Sequence, residues 1–429
     1  MGSSERTLTS IEICAGAGGQ AIGLHSAGFK HLALVEIDGN AAQTLRHNVE
    51  HRDKWEWERK FCDVIEGDMK EFKPLSHLKK AVGFLGRPLR PRDLDLLAGG
   101  VPCPPFSHAG KQLGKDDERD LFPWMLRLVD ELRPRAVMIE NVRGIRDAKF
   151  EEYRTYVEAC LQGGHAKRPE DGTDVYLDGF GYTVCKWEVL EASDFGVPQL
   201  RPRAILVAIR TDVLGDLELE WPEPTHEAPR SVFEALKASM ELRYAPFLEM
   251  GGSVAADAKR CLDQWVDNAS RAMSERKDRG IAPTLVGGSK KHGGADLGPS
   301  RAKAVWRQLG VSGMGVANDH AESMKKKTYD RDLFRPEGPM LTVRQAAIIQ
   351  GFPDDWEFDG RKTAQYRQVG NAFPPPVAHA VGAAIAKLLR AADARDEARA
   401  EEAAPKEQLP EQKAAALLDR RDDHLSAVL

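Results

Sequence analysis

Short apolar runs alternate with amphipathic stretches over residues 8–210 of the chain. The runs are LTSIEIC, HLALVEI, RDLDLLAG, RAVMIEN, YTVCKWEVL and RAILVAIR. Between them lie GQAIGLHSAGF, NAAQTLRHNVE and LFPWMLRLVDELRP, which read as helices. Strand-like and helical segments in alternation predict an α/β fold, a mostly parallel sheet with helices on both faces. The last two runs are joined only by SDFGVPQLRPR, too short for a helical crossover, so they predict an antiparallel hairpin.

The pattern changes near residue 211. Residues 211–335 are rich in Gly, Pro, Ser and basic residues and show few periodic apolar segments, which reads as a smaller, irregular domain. Strong signals resume with MLTVRQAAIIQGFP and VAHAVGAAIAKLLRAA, the latter an apolar helix expected to pack on the first domain. The expected organisation is one domain built from 8–210 and 336–390, a second from 211–335, and a charged C-terminal tail from 391 to 429.

The 429 residues are 42% hydrophobic and 30% charged, a globular composition. No run of 18 apolar residues and no N-terminal apolar segment is found, so neither a membrane nor a secretory route is expected, and the cytoplasm is. The six cysteines form no CxxC pair, which argues against a zinc site or a disulfide framework. The net charge of −5 conceals a basic stretch, residues 271–310, with nine Lys/Arg against three Asp/Glu. Local patches decide binding, not the sum.

EICAGAGG (12–19) follows the first strand and precedes a helix, so its glycines suit a tight turn with close backbone approach to a ligand. Glu36 comes twenty residues after Gly16, at the end of the next strand, where an acid can accept from two ribose hydroxyls. Asp68, in EGDM, could accept from an adenine amino group. This pattern predicts an adenosine-type ligand, with a dinucleotide and S-adenosylmethionine both open. No GKS/T follows, which argues against a P-loop nucleotidase.

VPCPPFSH holds Cys103 among prolines just past the fourth run, and Glu140 ends the fifth in VMIENVRG. Gln199, Arg201 and Arg203 alternate in QLRPR, which puts them on one face of an extended segment. A lone cysteine is most often a small buried hydrophobe. A thiol, a protonatable carboxyl and a guanidinium at neighbouring strand ends instead suit one reaction. C5 of a pyrimidine is a poor nucleophile, but thiolate addition at C6 gives it enamine-like character. A carboxylic acid at N3 and an arginine at O2 would assist that addition, and arginines near the thiol would lower its pKa.

These segments resemble the cytosine-C5 DNA methyltransferase family over nearly all of 8–390. The resemblance rests on EICAGAGGQAIGLHSAGF, VPCPPFS, ENVRG, DFGVPQLRPR, RQAAIIQGFPDDW and YRQVGNAFPPPVAHAVG. It implies a Rossmann-like, S-adenosylmethionine-dependent methyltransferase fold, with 211–335 as the target-recognition domain. It implies Cys103 as nucleophile, Glu140 at N3, Arg203 at O2, Arg201 positioning the nucleophile loop and Asn141 holding the ENV turn. For the cofactor it implies Ala15, Gly16, Ala17, Gly18 and Gly19 at the carboxylate end, Glu36 on the ribose, and Ile37 and Asp68 at the adenine. Met69, Pro102 and Asn371 complete that lining. Cys14 stands where the family often has Phe, so stacking on the adenine is not expected from it, and Glu12 and Pro104 replace an Asp and a Gln.

The implied partner is double-stranded DNA, with the target cytosine flipped out of the stack. HAGKQLGKDDERD, with Gly110 and Gly114, reads as a loop that closes over it. Lys290, Lys291 and Arg301 in GGSKKHGGADLGPSRAKAVWR, with Ser107 and Gln199, are the expected DNA contacts. A monomer on DNA, a nucleoid association, a bacterial restriction-modification role and no metal complete the expectation. An RNA cytosine methyltransferase and a catalytically silent DNA-binding relative are the rivals.

Overall fold

The computed structural model describes residues 6–102, 120–225, 228–287 and 295–403. Its strands are β1 (Leu8–Ile13), β2 (Phe29–Glu36), β3 (Asp63–Glu66), β4 (Leu96–Gly99), β5 (Ala136–Val142), β6 (Gly164–Lys167), β7 (Asp174–Leu177), β8 (Tyr182–Glu191) and β9 (Pro202–Arg210). Seven form one sheet in the order β3-β2-β1-β4-β5-β9-β8, and β6 pairs with β7 as a small separate hairpin. The pairings from β3 through β5 are all parallel. β9 is antiparallel to both β5 and β8, so it alone runs against the other six. The expected hairpin is present, and it delivers more than a closed edge. Because β9 is reversed, its first residues lie at the same sheet edge as the last residues of β1, β2, β4 and β5.

Strand order turns back between β1 and β4, and the crevice outside the carboxyl ends at such a point is where α/β sheets bind ligands. All six residues of β1 are buried, the polar Thr9, Ser10 and Glu12 included, as are all four of the apolar β4 run. Helices Gly19–Ser26, Gly39–His51 and Phe122–Leu132 follow β1, β2 and the β4 edge. Asp38 caps the second by accepting from Asn40 and Ala41 N–H groups.

Residues 211–335 correct the expectation of an irregular segment over much of their length. Val232–Glu249 and Gly252–Glu275 are long helices, and Ser300–Gln308 is a third. Ser231 and Glu234 form a reciprocal capping box at the start of the first. Trp265 and Trp306 are fully buried here; truncating a side chain of that size costs about 3–5 kcal/mol. Their cluster runs without a break into Leu341, Ile349, Phe352, Trp356 and Tyr366, and on to Leu34 and Leu45 beside the sheet. A second cluster, including Ile11, Ile13, Leu97, Val129 and Leu206, fills the rest of the sheet-bearing core.

Helices Val343–Gln350, Lys362–Asn371 and Pro375–Ala403 end the described chain. The last begins on the Gly19–Ser26 helix, where a Cβ added at Gly23 would stand 2.5 Å from that of Ala378. Contacts group residues 1–389 as one unit and 390–429 as another. Of the second, residues 390–403 are described and are helical. No single described helix is long and apolar enough to cross a membrane.

Candidate active site

The turn after β1 is fixed from several sides. Gly16 and Gly18 have φ of +56° and +92°, in the left-handed region that a side chain disfavours. The Gly16 N–H donates to Glu36 Oε2 at 2.7 Å, and the Asp38 N–H donates to Oε1 at 2.7 Å. Each Glu36 oxygen keeps a further lone pair for a ligand hydroxyl. Burial raises the Glu36 carboxyl above the usual range, and the two N–H groups pull it back. Ala17 is held by a contact from far along the chain: Trp356 Nε1–H donates to its carbonyl at 2.9 Å. Ile37 is 67% exposed at this edge, an apolar surface available for a flat ring. Asp68 accepts from the Lys70 N–H, and Met69 is buried against Cys14, their sulfurs 3.6 Å apart.

The reactive edge lies beside it. Glu140 ends β5 and Arg203 begins β9; Val142 pairs with Arg203 and Glu140 with Ile205 in the ladder, so the two side chains are diagonal neighbours. Arg203 Nε stands 2.7 Å from Glu140 Oε1, and each side chain is only 12–13% exposed. Burial pushes the Glu140 carboxyl up, against the pull of Arg203 and Arg201. Gly100 lies against the same carboxylate, where an added Cβ would be 3.1 Å from Oε2. Asn141 Nδ2 donates to the Val101 carbonyl at 2.8 Å, and its Oδ1 accepts from the Val142 N–H. Residues 100–102 are therefore tied directly to the end of β5. Cys103 and Ser107, with the loop glycines 110 and 114, lie outside the described residues, as do Lys290 and Lys291.

Arg201 and Gln199 act within the fold. Arg201 is buried and donates to the carbonyls of Leu285 (2.7 Å) and Gly370 (2.8 Å). It thus pins the segment at Leu285 to the end of the Lys362–Asn371 helix. Gln199 was expected at the DNA. It is instead fully buried, and both ends of its amide are used: Nε2 donates to Gln350 Oε1 and the Ile349 carbonyl, and Oε1 accepts from the Leu285 N–H. No donor remains to face a nucleic acid. Arg301 is exposed on the Ser300–Gln308 helix.

One cavity of about 1490 Å³ joins these parts. Its lining includes Ala15–Ala17, Gly19, Glu36, Ile37, Asp68, Met69, Pro102, Glu140, Arg201, Arg203 and Asn371. It exceeds the ~300–1,000 Å³ usual for one small ligand, which leaves room for two reactants. Thr284–Gly287, Asp296, Gly298, Pro299, Ser300 and Lys303 also line it, as does Arg367, which has no ion-pair partner among the described residues. Neither Arg367 nor the Trp356 contact could be read from local pattern, since both depend on residues far apart in the chain.

A family model described as C-5 cytosine-specific DNA methylase matches residues 8–387. The chain belongs to that family. It is 45% identical to Type II methyltransferase M.NaeI of Lentzea aerocolonigenes over 92% of its own length and 78% of the relative's. It is 42% identical to Type II methyltransferase M.NgoMIV of Neisseria gonorrhoeae, over 89% and 98% respectively. The fold is shared, at a TM-score of 0.53 and 20% identity, with a prophage-encoded protein of E. coli described as a DNA modification methyltransferase. That likeness covers 89% of this chain and 99% of the other. The protein is a DNA (cytosine-5)-methyltransferase, and S-adenosylmethionine is its methyl donor. The cavity fits that group: Glu36 keeps lone pairs for the ribose, Ile37 offers an apolar surface, and Gly16 leaves open space where a Cβ would project.

Proposed function

We propose that this protein methylates C5 of one cytosine within a short duplex DNA sequence, as the modification enzyme of a type II restriction-modification pair. The observation that carries the reading is the Glu140–Arg203 pair, buried at 2.7 Å in the same cavity as the glycine turn. Cys103 follows Pro102, which lines that cavity, directly in the chain.

The target base enters flipped out of the duplex, because its ring face is inaccessible to attack while stacked. The Cys103 thiolate adds to C6. Glu140, kept protonatable by burial, gives N3 a proton or a strong hydrogen bond as charge develops. Arg203 holds O2 and keeps Glu140 oriented through its Nε. The bound donor would supply an electrophilic methyl group, the activated C5 forming the new C–C bond as the S–CH3 bond breaks and S-adenosylhomocysteine departs as a neutral thioether. Loss of the C5 proton to a base and departure of the Cys103 sulfur restore the ring. Asn141 supports the sequence by tying Val101 to the strand that carries Glu140.

Residues 211–335 are assigned to target reading, with the Arg201 and Gln199 contacts to Leu285 aligning that segment to β9. Lys290, Lys291, Arg301 and Ser107 remain proposed DNA contacts. The protein works as a cytoplasmic monomer bound to the nucleoid through DNA. Methyl transfer from radiolabelled donor, measured on duplex DNA and on tRNA, tests the reading. Label in DNA alone, located at cytosine by bisulfite sequencing, is expected. Label in tRNA alone would move the protein to RNA modification, and label in neither would make it a silent relative.

A further inference from the structure

Gln20 is 4% exposed, lines the large cavity, and has no hydrogen-bond partner among the described residues at either Oε1 or Nε2. Other buried amides in this protein are fully used; Gln199, Gln345 and Gln350 are each bonded at both ends. An amide left unpaired in the interior costs about as much as a lost hydrogen bond. An apolar side chain at this position would avoid that cost. Gln20 is the second residue of the Gly19–Ser26 helix, just past the turn, where backbone N–H groups also lack intrahelical partners. Glu12, at the base of the same cavity, likewise has an unpartnered buried oxygen, Oε2.

We propose that Gln20 is a donor-binding residue that engages the amino-acid end of S-adenosylmethionine. A carboxamide presents N–H donors and a carbonyl acceptor together, and an α-amino acid zwitterion presents a carboxylate and an ammonium. Nε2–H donates to the carboxylate and Oε1 accepts from the ammonium. The helix start adds its N–H groups on the carboxylate side. Glu12 carries the polar lining further, and burial keeps its carboxyl protonated well above the usual range. The polar groups of this end of the cavity are thus left unpaired by the fold and paired by the ligand.

This inference rests on the cofactor reading, and the test separates the two. Calorimetry measures binding of S-adenosylhomocysteine and of methylthioadenosine, which lacks the amino-acid end, to the parent protein and to Gln20→Met. Parent protein that binds neither ligand refutes the cofactor reading itself. Otherwise Gln20→Met is expected to weaken S-adenosylhomocysteine about 10- to 100-fold, the range of hydrogen bonds to charged groups. It should leave methylthioadenosine within about twofold. The ligand-free variant should melt at or above the parent temperature, because an unpaired buried amide is gone. A structural role for Gln20 predicts the reverse, with a lower melting temperature and both ligands weakened alike, and that result overturns the proposal. Gln20→Glu, nearly isosteric, provides a second reading should Gln20→Met fold poorly. At a pH high enough to ionise the new carboxyl it replaces the donor with an acceptor that repels the carboxylate, so unchanged S-adenosylhomocysteine affinity there also overturns it.

Discussion

Replacing Arg203 with methionine removes the guanidinium and keeps most of the side-chain volume. Arg203 Nε lies 2.7 Å from Glu140 Oε1, with both side chains largely out of water. Breaking such a pair by deleting one partner costs about 3–5 kcal/mol, since the surviving charge stays buried. The cost depends on pH. Burial already raises Glu140 above its unfolded value of about 4.3, so the folded state holds the extra proton. A raised carboxyl destabilises the fold increasingly as pH climbs from the unfolded value through the folded one. Arg203 opposes that rise, and in Arg203→Met the carboxyl moves higher still, extending the window upward. Each further unit adds about 1.36 kcal/mol at pH values above the new titration point. Urea denaturation of parent and variant at pH 5.5 and pH 8 is the assay. The loss should be about 3–5 kcal/mol at pH 8 and smaller at pH 5.5. The double variant with Glu140→Gln should recover most of the loss at pH 8. Equal losses at the two pH values, or no recovery, would refute the argument that a buried charge is being neutralised.

Asn141→Ala should lower the turnover number at least tenfold while changing stability by about 1–2 kcal/mol, since it frees the Val101 carbonyl from β5; steady-state kinetics and thermal melts read the two effects. Trp356→Phe removes the donor to the Ala17 carbonyl and should raise the KM for the methyl donor about five- to tenfold with little change in turnover at saturation. Gln199→Ala leaves the Leu285 N–H and Ile349 carbonyl unpaired and should cost about 2–4 kcal/mol in denaturation. The salt dependence of its DNA binding should match the parent's, because Gln199 is buried.

The sheet was legible because five of its seven strands, β1, β2, β4, β5 and β9, are mostly buried runs of four to nine residues, and burial on both faces leaves an apolar signature. The ends of those runs also located Glu36, Glu140 and Arg203, since strand ends follow from strand positions. Their pairing distance did not follow, because it depends on β9 lying antiparallel next to β5. The helices of 211–335 escaped for two separate reasons. Val232–Glu249 contains Pro246 and exposes Leu242 and Leu248 as well as burying Leu236 and Met240, so its apolar residues mark no single face. Gly252–Glu275 buries Ala258, Cys261, Trp265, Ala269 and Ala272 at helical spacing with a polar opposite face, so its helical period is present in the sequence, carried mostly by small residues rather than by a conspicuous apolar run. The Ser231–Glu234 capping box was the signal available for the first of them. Gln199 shows the opposite failure: alternation assigned it correctly to a face with Arg201, and that face turned inward toward Leu285 and Ile349.

The proposed methyl transfer requires covalent attack by Cys103 on a cytosine held at Glu140 and Arg203. Duplex DNA carrying 5-fluorocytosine tests it directly, because fluorine cannot leave C5 as a proton does and the sulfur adduct is trapped after methyl transfer. Incubation with the methyl donor, digestion and mass spectrometry should find methylated fluorocytosine attached to the peptide containing Cys103, and nothing attached in Cys103→Ala. A trapped adduct on another residue, or methylated DNA produced by Cys103→Ala, would contradict the account.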